Sequence, residues 1–425
     1  MLNSSSAVTE PALQTVLDRL QALTATADSA PMLPRECYTS AAFFAFEREA
    51  LFARSWLCVG RAEQIPNAGD YLAVSVAGEP LLVVRGADGE IRALSAVCQH
   101  RGQVISTTSG SVRAFRCPLH FWTYDLTGRL AGAPRMGDKA TLDCLRGSVQ
   151  LPVIRLEQWH GFLFVNLDAG APPLAPSLAV LEPYWTHYED ADLVAVPPVP
   201  ADKVLPWNWK LHLENFTDAY HPEFVHTGTH DFAPSIHPDG GVVFTPMAEG
   251  ANAIVRTVPM LKTDGGMMRD GWGESAAFPP ITTLSPEQRK RITFAMLPPG
   301  MTIVFAPNAI AYQLVTAVSE TGTMAANDRV TGGGWLVPRS TRALPDFDAR
   351  AAQVREGGSK IWAQDLPVNL AMQAGKQSRY MPPGTYGPLE TTLTQFNAWL
   401  LRKYQSALTP RAVQPALRAA GGAAR

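Results

Sequence analysis

The tripeptide Cys98–His100 and the tetrapeptide Cys117–His120 restrict this chain more than any other part of its sequence. Each supplies one thiolate and one imidazole, which are ligands for soft and borderline metal ions. Residues 101–116, which separate the two motifs, allow a β-hairpin that brings both loops to one place. The sequence therefore predicts a metal centre with four protein ligands, namely Cys98, His100, Cys117 and His120.

Two kinds of metal centre fit these four ligands. Structural zinc accepts two cysteines and two histidines, although zinc fingers usually group the cysteines in one pair and the histidines in the other. One of each per loop suits a two-iron, two-sulfur cluster of the Rieske type, in which one iron takes both cysteines and the other takes both histidines. We favour the [2Fe-2S] cluster and keep zinc as the alternative.

A second candidate site lies in segment 215–226, which reads NFTDAYHPEFVH. Asp218 and His221 would share one face of a helix because they are three positions apart. Pro222 is expected to break that helix, so that His226 turns back toward His221 and both imidazoles serve one metal ion. Two histidines and a carboxylate, with one face left open, are the usual ligands of an iron(II) ion that activates oxygen. Asp218 is one candidate for that carboxylate.

A family resemblance connects the two sites. The stretches CQHRG, from Cys98, and CPLHFWTYDLTGRLAGAP, from Cys117, resemble the Rieske signature of the α subunit of Rieske non-haem iron oxygenases, the aromatic-ring-hydroxylating family. Segment 215–226 resembles the mononuclear-iron motif of the same family. One position departs from the signature, since Phe121 stands where the family usually has a small residue.

The resemblance implies the ligands of the mononuclear iron(II). The histidines of the family motif fall on His221 and His226. The third ligand of the family is an acidic residue eight positions before a Gln-x-Gly sequence, and here that residue is Asp365. Glu356 and Asp348 are its nearest substitutes.

The resemblance also implies an α+β fold. An N-terminal β-rich Rieske [2Fe-2S] domain would precede a helix-grip (START-like) catalytic domain with a curved antiparallel sheet. Short strand-like runs continue from Gly69 to Leu167, and a proline-rich joint follows them. We therefore divide the chain into an N-terminal helical extension packing on the catalytic domain, a Rieske domain, a catalytic mononuclear iron domain and a mobile tail, at residues 1–41, 42–168, 169–407 and 408–425.

Individual helices and strands are predicted from the spacing of apolar residues. Helical spacing predicts a helix over residues 13–23, a second helix from Phe43, and a late helix that carries Leu389, Leu393, Phe396 and Leu400 on one face. Alternation and turn residues predict a hairpin at Asp125 and strands over residues 70–76, 80–85, 90–97, 153–167, 253–258, 302–307 and 332–337.

Composition excludes several classes of partner and location. The net charge of −2 and pI near 6.5 give no electrostatic reason to expect nucleic acid or an anionic membrane as a partner. The five cysteines are odd in number and scattered, which argues for a reducing compartment. The N-terminus lacks the pattern of a secretory signal, and no apolar run approaches the roughly 20 residues that span a bilayer. We expect a cytoplasmic protein.

The resemblance implies protein partners as well as a small-molecule substrate and O2. No nucleotide-binding motif is present, so NAD(P)H would be oxidised by a separate flavin reductase, with or without a ferredoxin. The family arrangement implies a homotrimer in which electrons cross between subunits. In that arrangement Asp218 is not a ligand, but joins His221 of one subunit to His120 of its neighbour by hydrogen bonds.

Three functions follow from these expectations. The main interpretation is a terminal oxygenase that hydroxylates an aromatic ring once or twice. The alternative is a monooxygenase that hydroxylates or removes an N-methyl group of a quaternary ammonium compound, because the stretch from Arg35 to Gly60 is equally similar to such members. A function of another class is an electron carrier or redox sensor without oxygenase activity. Whether a β subunit accompanies the chain stays open.

Overall fold

The structure is a computed structural model, and its described residues are 13–26, 29–196, 203–227, 233–236, 240–260, 277–320 and 324–409. The beginning of the predicted extension, residues 1–12, and the predicted mobile tail from residue 410 onward lie outside the described residues. Within the described ranges, no helix combines the length and the apolar character needed to cross a membrane.

The alternating apolar runs of the first half form antiparallel β-structure. The strands predicted over 70–76 and 80–85 pair directly, with Tyr71 opposite Val84, and the hairpin predicted at Asp125 is present. The strands are β1 (Leu57–Arg61), β2 (Asp70–Val76), β3 (Glu79–Arg85), β4 (Ile91–Ser95), β5 (Gly110–Ser111), β6 (Phe115–Arg116), β7 (Thr123–Tyr124), β8 (Leu130–Gly132), β9 (Val153–Trp159) and β10 (Phe162–Asn166). Strands β6, β7 and β8 form a small sheet, and the others form a larger one in the order β1-β10-β9-β4-β3-β2-β5.

The second half contains a larger antiparallel sheet. Its strands are β11 (Leu193–Val196), β12 (Lys203–Asn208), β13 (Val243–Phe244), β14 (Ile254–Pro259), β15 (Arg291–Leu297), β16 (Met301–Ala306), β17 (Ala309–Glu320) and β18 (Met324–Pro338). Their order is β11-β18-β17-β16-β15-β14-β13, and β12 pairs with the other end of β18. Strand β14 is buried almost throughout, because neighbouring strands flank it and helices cover the sheet.

Several of the helices pack on this second sheet, and the candidate iron residues lie on or directly beside helices. The helices are α1 (Leu13–Ala22), α2 (Glu36–Thr39), α3 (Ala41–Ala50), α4 (Lys139–Ser148), α5 (Leu174–Ser177), α6 (Glu182–Trp185), α7 (Trp209–Thr217), α8 (Pro222–Val225), α9 (Arg339–Arg342), α10 (Phe347–Gln377) and α11 (Thr391–Leu408). Helix α7 contacts α10, α11 and β15, so it occupies the centre of this half.

A buried ion pair joins the N-terminal helices to the catalytic half. Lys210 of α7 places its ammonium 2.7 Å from a carboxylate oxygen of Glu47 on α3. Tyr404 of α11 donates a hydrogen bond to the same oxygen. Because removing two charges from water is costly, such a pair persists only when additional hydrogen bonds satisfy it. Tyr38 strengthens the same junction by donating to Glu214 of α7 over 2.6 Å.

The observed architecture confirms the predicted α+β fold class, with a β-rich first half and a second half built from a large antiparallel sheet and helices. Helix α1 and strand β2 agree closely with their predicted ranges. Helix α4 was not predicted, and it buries none of its own residues. A helix without buried residues has only a weak periodic pattern of apolar residues in its sequence.

Candidate metal centres

The two cysteine–histidine motifs lie together in the structure. Cys98 follows β4, Cys117 follows β6, and both cysteines are buried. The rings of His100 and His120 meet edge to face, with their centroids 4.8 Å apart. His100 is half-buried and His120 is exposed, so the imidazoles lie on the solvent side of the thiols. This separation of ligand types fits a cluster with one cysteine-bound and one histidine-bound iron.

Two aromatic side chains pack around the cluster loops. The hydroxyl of Tyr124 lies 3.3 Å from Cys98 Sγ and accepts a hydrogen bond from the backbone N–H of Gln99. Its single proton can therefore be donated to the sulfur of a thiolate. The indole of Trp122 stacks on the His100 ring at a centroid distance of 4.6 Å. Neither contact was predicted, because the sequence shows only that Trp122 and Tyr124 lie just beyond the second motif and not what they touch.

The backbone explains the departure from the family signature at Phe121. Its φ is +57°, in the left-handed region where a side chain is disfavoured. The side chain is 54% exposed, and the guanidinium of Arg116 lies 5.1 Å from the ring centroid. A small residue suits this backbone, and phenylalanine is tolerated because its ring extends into solvent.

Helix α7 ends earlier than the sequence predicts. Its last residue is Thr217, and Asp218 follows it in an extended conformation with ψ of 125°. Pro222 does not break a helix between the histidines, because it occupies the first position of α8, where a missing N–H costs nothing. The predicted position of the break is therefore wrong. His221 and His226 instead flank the single turn of α8.

The structure brings Asp365 of α10 to these two histidines. Its Oδ1 lies 3.2 Å from His226 Nε2 and 3.7 Å from His221 Nε2. One ligand atom from each of the three residues lies within 4.8 Å of the other two. The two residues considered as substitutes for Asp365 are not part of this group. Glu356 pairs with Lys360, and the side chain of Asp348 is 98% exposed.

Hydrogen bonds orient both imidazoles toward Asp365. His221 Nδ1 lies 3.1 Å from a carboxylate oxygen of Asp218, and His226 Nδ1 lies 3.0 Å from the amide oxygen of Gln364. Acceptors at both Nδ1 atoms select the tautomer whose proton is on Nδ1. Each Nε2 lone pair is then directed toward the shared carboxylate, which is the arrangement that metal-binding histidines require.

Two amides contact the three candidate iron residues, Asn215 at Asp365 and Gln364 at His226. Asn215 on α7 donates to Asp365 Oδ1 over 3.2 Å. Gln364 was missed by the sequence analysis, and its only signal is that it directly precedes Asp365. Both amides reach the site from different helices, so their roles depend on the packing of α7 against α10.

The electrostatics of the three residues favour a cation. Burial alone would lower the pKa of His226, but the hydrogen bond and charge of Asp365 raise it, as does the hydrogen bond with Gln364. A site that attracts a proton this way also attracts a metal ion, which displaces that proton. The donor set of two imidazoles and one carboxylate fits iron(II).

A second histidine on α7 takes part in a separate buried pair. His212 Nδ1 lies 2.6 Å from Asp328 Oδ2, and Nε2 lies 2.9 Å from the amide oxygen of Gln313. Burial lowers the pKa of His212, but the carboxylate and the two hydrogen bonds outweigh it, so the net shift is upward. Because both ring nitrogens face acceptors, the imidazolium form satisfies this environment best.

Comparison with protein families gives two matches. Residues 55–151 match the model described as "Rieske [2Fe-2S] domain". Residues 180–406 match the model described as "Ring hydroxylating alpha subunit (catalytic domain)". The first match decides between the two centres considered for the N-terminal motifs, since it supports the [2Fe-2S] cluster and not zinc.

Individual relatives include oxygenases for different substrates. The chain is 33% identical over 219 residues to the carnitine monooxygenase oxygenase subunit of Acinetobacter baumannii, covering 50% of this chain and 56% of the relative. It is 38% identical over 196 residues to the glycine betaine monooxygenase oxygenase subunit of Chromohalobacter salexigens, covering 46% and 43%. The chain thus spans about half the length of the curated relatives it matches.

A solved structure supports the fold. Naphthalene 1,2-dioxygenase from Rhodococcus sp. superposes with a TM-score of 0.68 at 20% identity, covering 93% of this chain and 98% of that one. Coverage of nearly the whole chain means that both halves share the fold of that protein.

Proposed function

Since this chain belongs to the ring-hydroxylating α-subunit family of Rieske non-haem iron oxygenases, we propose that it oxidises an N-methyl group of a quaternary ammonium compound. The observation that carries the proposal is the convergence of His221 and His226, at the two ends of α8, with Asp365 of α10. An electron carrier does not require a second metal site with two histidines and one carboxylate. The redox-carrier alternative therefore loses its support.

The similarity to two monooxygenases for quaternary amines directs the choice of substrate. Carnitine and glycine betaine both carry N-methyl groups on a cationic nitrogen, and those relatives are 33% and 38% identical to this chain. This similarity favours the alternative of the sequence analysis over its main interpretation. Aromatic ring hydroxylation is the second candidate, because the chain shares its fold with naphthalene 1,2-dioxygenase.

We assign the metal ligands from the donor geometry. Cys98, His100, Cys117 and His120 would hold the [2Fe-2S] cluster, while His221, His226 and Asp365 would hold iron(II). When bound, these groups supply stored electrons and oxygen activation beside the substrate. The domain limits 42–168 and 169–407 remain our proposal for the parts that carry the two centres.

The side chains around the iron residues have defined tasks. Asp218 and Gln364 accept hydrogen bonds from the two Nδ1–H groups and hold the imidazole rings in position. Asn215 holds the carboxylate of Asp365, so that its orientation does not depend on solvent. These contacts prepare the ligand set before substrate arrives, which lowers the cost of assembling it.

The overall reaction balances with an external reductant. One oxygen atom of O2 enters a methyl C–H bond, and the other leaves as water with two electrons and two protons. The hydroxymethyl ammonium product then releases formaldehyde, a proton and the demethylated amine. We propose that a flavin reductase, with or without a ferredoxin, supplies the electrons from NAD(P)H, and that the chain forms a homotrimer.

Product analysis tests this proposal. Protein purified without oxygen should contain about three irons per chain, the sum of a two-iron cluster and one mononuclear iron. Chemically reduced protein should convert carnitine or glycine betaine with O2 to the demethylated amine and formaldehyde, detected by mass spectrometry. Hydroxylated aromatic products from an aromatic panel would favour the second candidate instead.

An Asp365→Ala variant separates the two metal centres. We expect its iron content to fall to about two per chain, with an unchanged Rieske spectrum and no product, because the mononuclear iron loses one of three protein ligands. Asp348→Ala is the matched control, since that carboxylate lies on the same helix and is exposed. Full iron content in Asp365→Ala would contradict the proposed ligand set.

A further inference from the structure

A small cavity lies at the junction of the two halves of the chain, and its walls carry an excess of positive charge. Its volume is about 130 Å³. The first half contributes the segment that leads into β1 and Asn166 of β10, and the second half contributes Asn252 and α11. Three of the lining residues are cations, namely Arg54, Arg402 and Lys403, and no lining residue among those that the structure describes is acidic.

The three cations come from different parts of the chain. Arg54 ends the short 3-10 turn Phe52–Arg54, which precedes β1, whereas Arg402 and Lys403 follow one another on α11. Helix α11 is held in place by the buried residues on its other faces. Because like charges repel, and more strongly where water is partly excluded, this arrangement costs free energy unless an anion offsets it.

The groups that contact these cations do not neutralise their charge. The guanidinium of Arg402 lies 3.6 Å from the thioether sulfur of Met247, which is a weak acceptor. The ammonium of Lys403 lies 5.3 Å from the ring centroid of Trp399, a cation–π contact that supplies no counter-charge. Neither these two cations nor Arg54 forms an ion pair with a carboxylate in the described part of the chain.

The electrostatics of α11 agree with these contacts. Burial lowers the pKa of Lys403, and the adjacent charge of Arg402 lowers it further. Burial also lowers the pKa of Arg402, and the charge of Glu249, which does not line the cavity, opposes this shift only in part. An anion inside the cavity would oppose both shifts, because a nearby opposite charge favours the charged form of each group.

The size of the cavity and the donors in its walls select the ligand. A space of about 130 Å³ holds several water molecules, but it is smaller than the roughly 300–1,000 Å³ of sites for drug-sized ligands. Guanidinium and ammonium groups bind anionic oxygens through charge-assisted hydrogen bonds. The side-chain oxygen of Asn166 already accepts from the backbone N–H of Asp168, and that of Asn252 accepts from the indole of Trp399. The cationic donors are therefore left for a ligand.

We propose that this cavity binds a small oxyanion of the phosphate or sulfate class, held by Arg54, Arg402 and Lys403. The bound ion would connect α11 to the segment that leads into β1, and would thereby tie the second half of the chain to the first. None of the described residues that line the cavity belongs to either candidate metal centre. The oxyanion site is therefore independent of the substrate and of the reaction.

Sulfate binding to the oxidised holoenzyme tests the site without turnover. Isothermal titration calorimetry, with the ionic strength held constant by sodium chloride, should show saturable binding of one sulfate per chain. Arg402→Gln and Lys403→Gln should each weaken binding about 10- to 100-fold, the loss expected for one charged hydrogen-bonding group. Lys403→Arg should retain most of the affinity, because it keeps the charge and the N–H donors.

Thermal stability gives a second readout. Sulfate at high concentration stabilises proteins in general, because it is excluded from their surfaces. The melting temperature is therefore compared at low millimolar sulfate, where only a specific site responds. The wild type should gain stability, and Lys403→Gln should gain much less. Lys139→Gln, which changes an exposed cation of α4, is the control and should respond as the wild type does.

The remaining arms of the experiment identify the source of the oxyanion and the result that contradicts the site. Equal binding of inorganic phosphate and glycerol 3-phosphate would indicate a phosphorylated small molecule as the ligand, whereas binding of inorganic ions alone would indicate a free ion. Both α11 variants should keep about three irons per chain, which excludes misfolding as the cause of weak binding. A wild type without saturable sulfate or phosphate binding, or unchanged binding in both variants, would overturn the proposal.

Discussion

At the scale of single residues, the hydroxyl of Tyr124 is placed to tune the cluster. It lies 3.3 Å from Cys98 Sγ, and burial together with the hydrogen bond to Cys98 raises the pKa of the phenol, so it keeps its proton. A donor to a cluster sulfur stabilises the reduced state, which is the more negative one. Loss of that donor should therefore make the cluster harder to reduce.

We expect Tyr124→Phe to lower the reduction potential of the cluster by about 20–60 mV, the equivalent of a hydrogen bond of about 0.5–1.5 kcal/mol for one electron. A redox titration followed by electron paramagnetic resonance measures the change. Tyr71→Phe is the matched control, because its hydroxyl meets Ser106 in the same core. Equal potentials for Tyr124→Phe and wild type would show that the phenol does not donate to the sulfur.

Residues that act through local spacing were accessible from sequence, whereas residues brought in by the fold were not. His221 and His226 lie within one short motif, so their convergence depends on a few backbone angles. Gln364 reaches His226 from the distant helix α10. An amide without a motif gives no signal until the packing of the helices is known.

At the scale of secondary-structure elements, α7 connects the sheet to the iron residues. His212 of α7 pairs with Asp328 of β18 over 2.6 Å, and the net shift of its pKa is upward. The folded protein therefore holds a proton that the unfolded chain releases near the ordinary value of 6.5. This stabilisation is complete below that pH and is lost as the pH rises through the folded pKa.

We expect the free energy of unfolding to fall as the pH rises above 6.5 in the wild type, and to fall less in His212→Asn, which has no proton to lose at this position. Urea denaturation at several pH values measures both slopes. His187→Asn, which changes an exposed histidine, provides the control. Parallel slopes for His212→Asn and wild type would mean that His212 does not bind the proton.

The elements themselves were predicted unevenly, and the reason is physical. Helix α1 could be assigned because its buried residues repeat at helical spacing, and strand β2 because its run of strand-favouring residues is bounded by turn residues. The end of α7 could not be predicted, because no helix-breaking residue marks it. Asp218 leaves the helix, and its carboxylate contacts His221. Interactions with side chains thus override the local signal of Pro222.

At the scale of the whole molecule, both candidate metal centres lie beside exposed apolar side chains. Leu119 and Phe121 next to the cluster are 50% and 54% exposed, and Tyr220 and Phe224 next to the iron residues are 49% and 68% exposed. Two different apolar surfaces on one chain suit the head-to-tail contacts that close a ring. They support the proposed homotrimer, in which the cluster of one subunit lies near the iron of another.

We expect Phe224→Asp to convert the trimer to smaller species, because a carboxylate would be buried in an apolar contact. Analytical ultracentrifugation measures the mass, and the iron content should stay at about three per chain. Val153→Asp is the control, since it changes a 59% exposed apolar residue of β9. A trimer that survives Phe224→Asp would place the subunit contact elsewhere.

The junction between the N-terminal helices and α11 has a consequence for synthesis of the chain. Helix α1 packs against α11, where Gln405 donates to the carbonyl oxygens of Leu20 and Leu23. Gln405 and Leu20 are 385 residues apart in the chain, so the ribosome makes α1 long before α11. At about 5–20 residues per second, the first helix waits tens of seconds for the last one. Its apolar face stays uncovered for that time, so we expect the unfinished chain to be more prone to aggregation than the complete one.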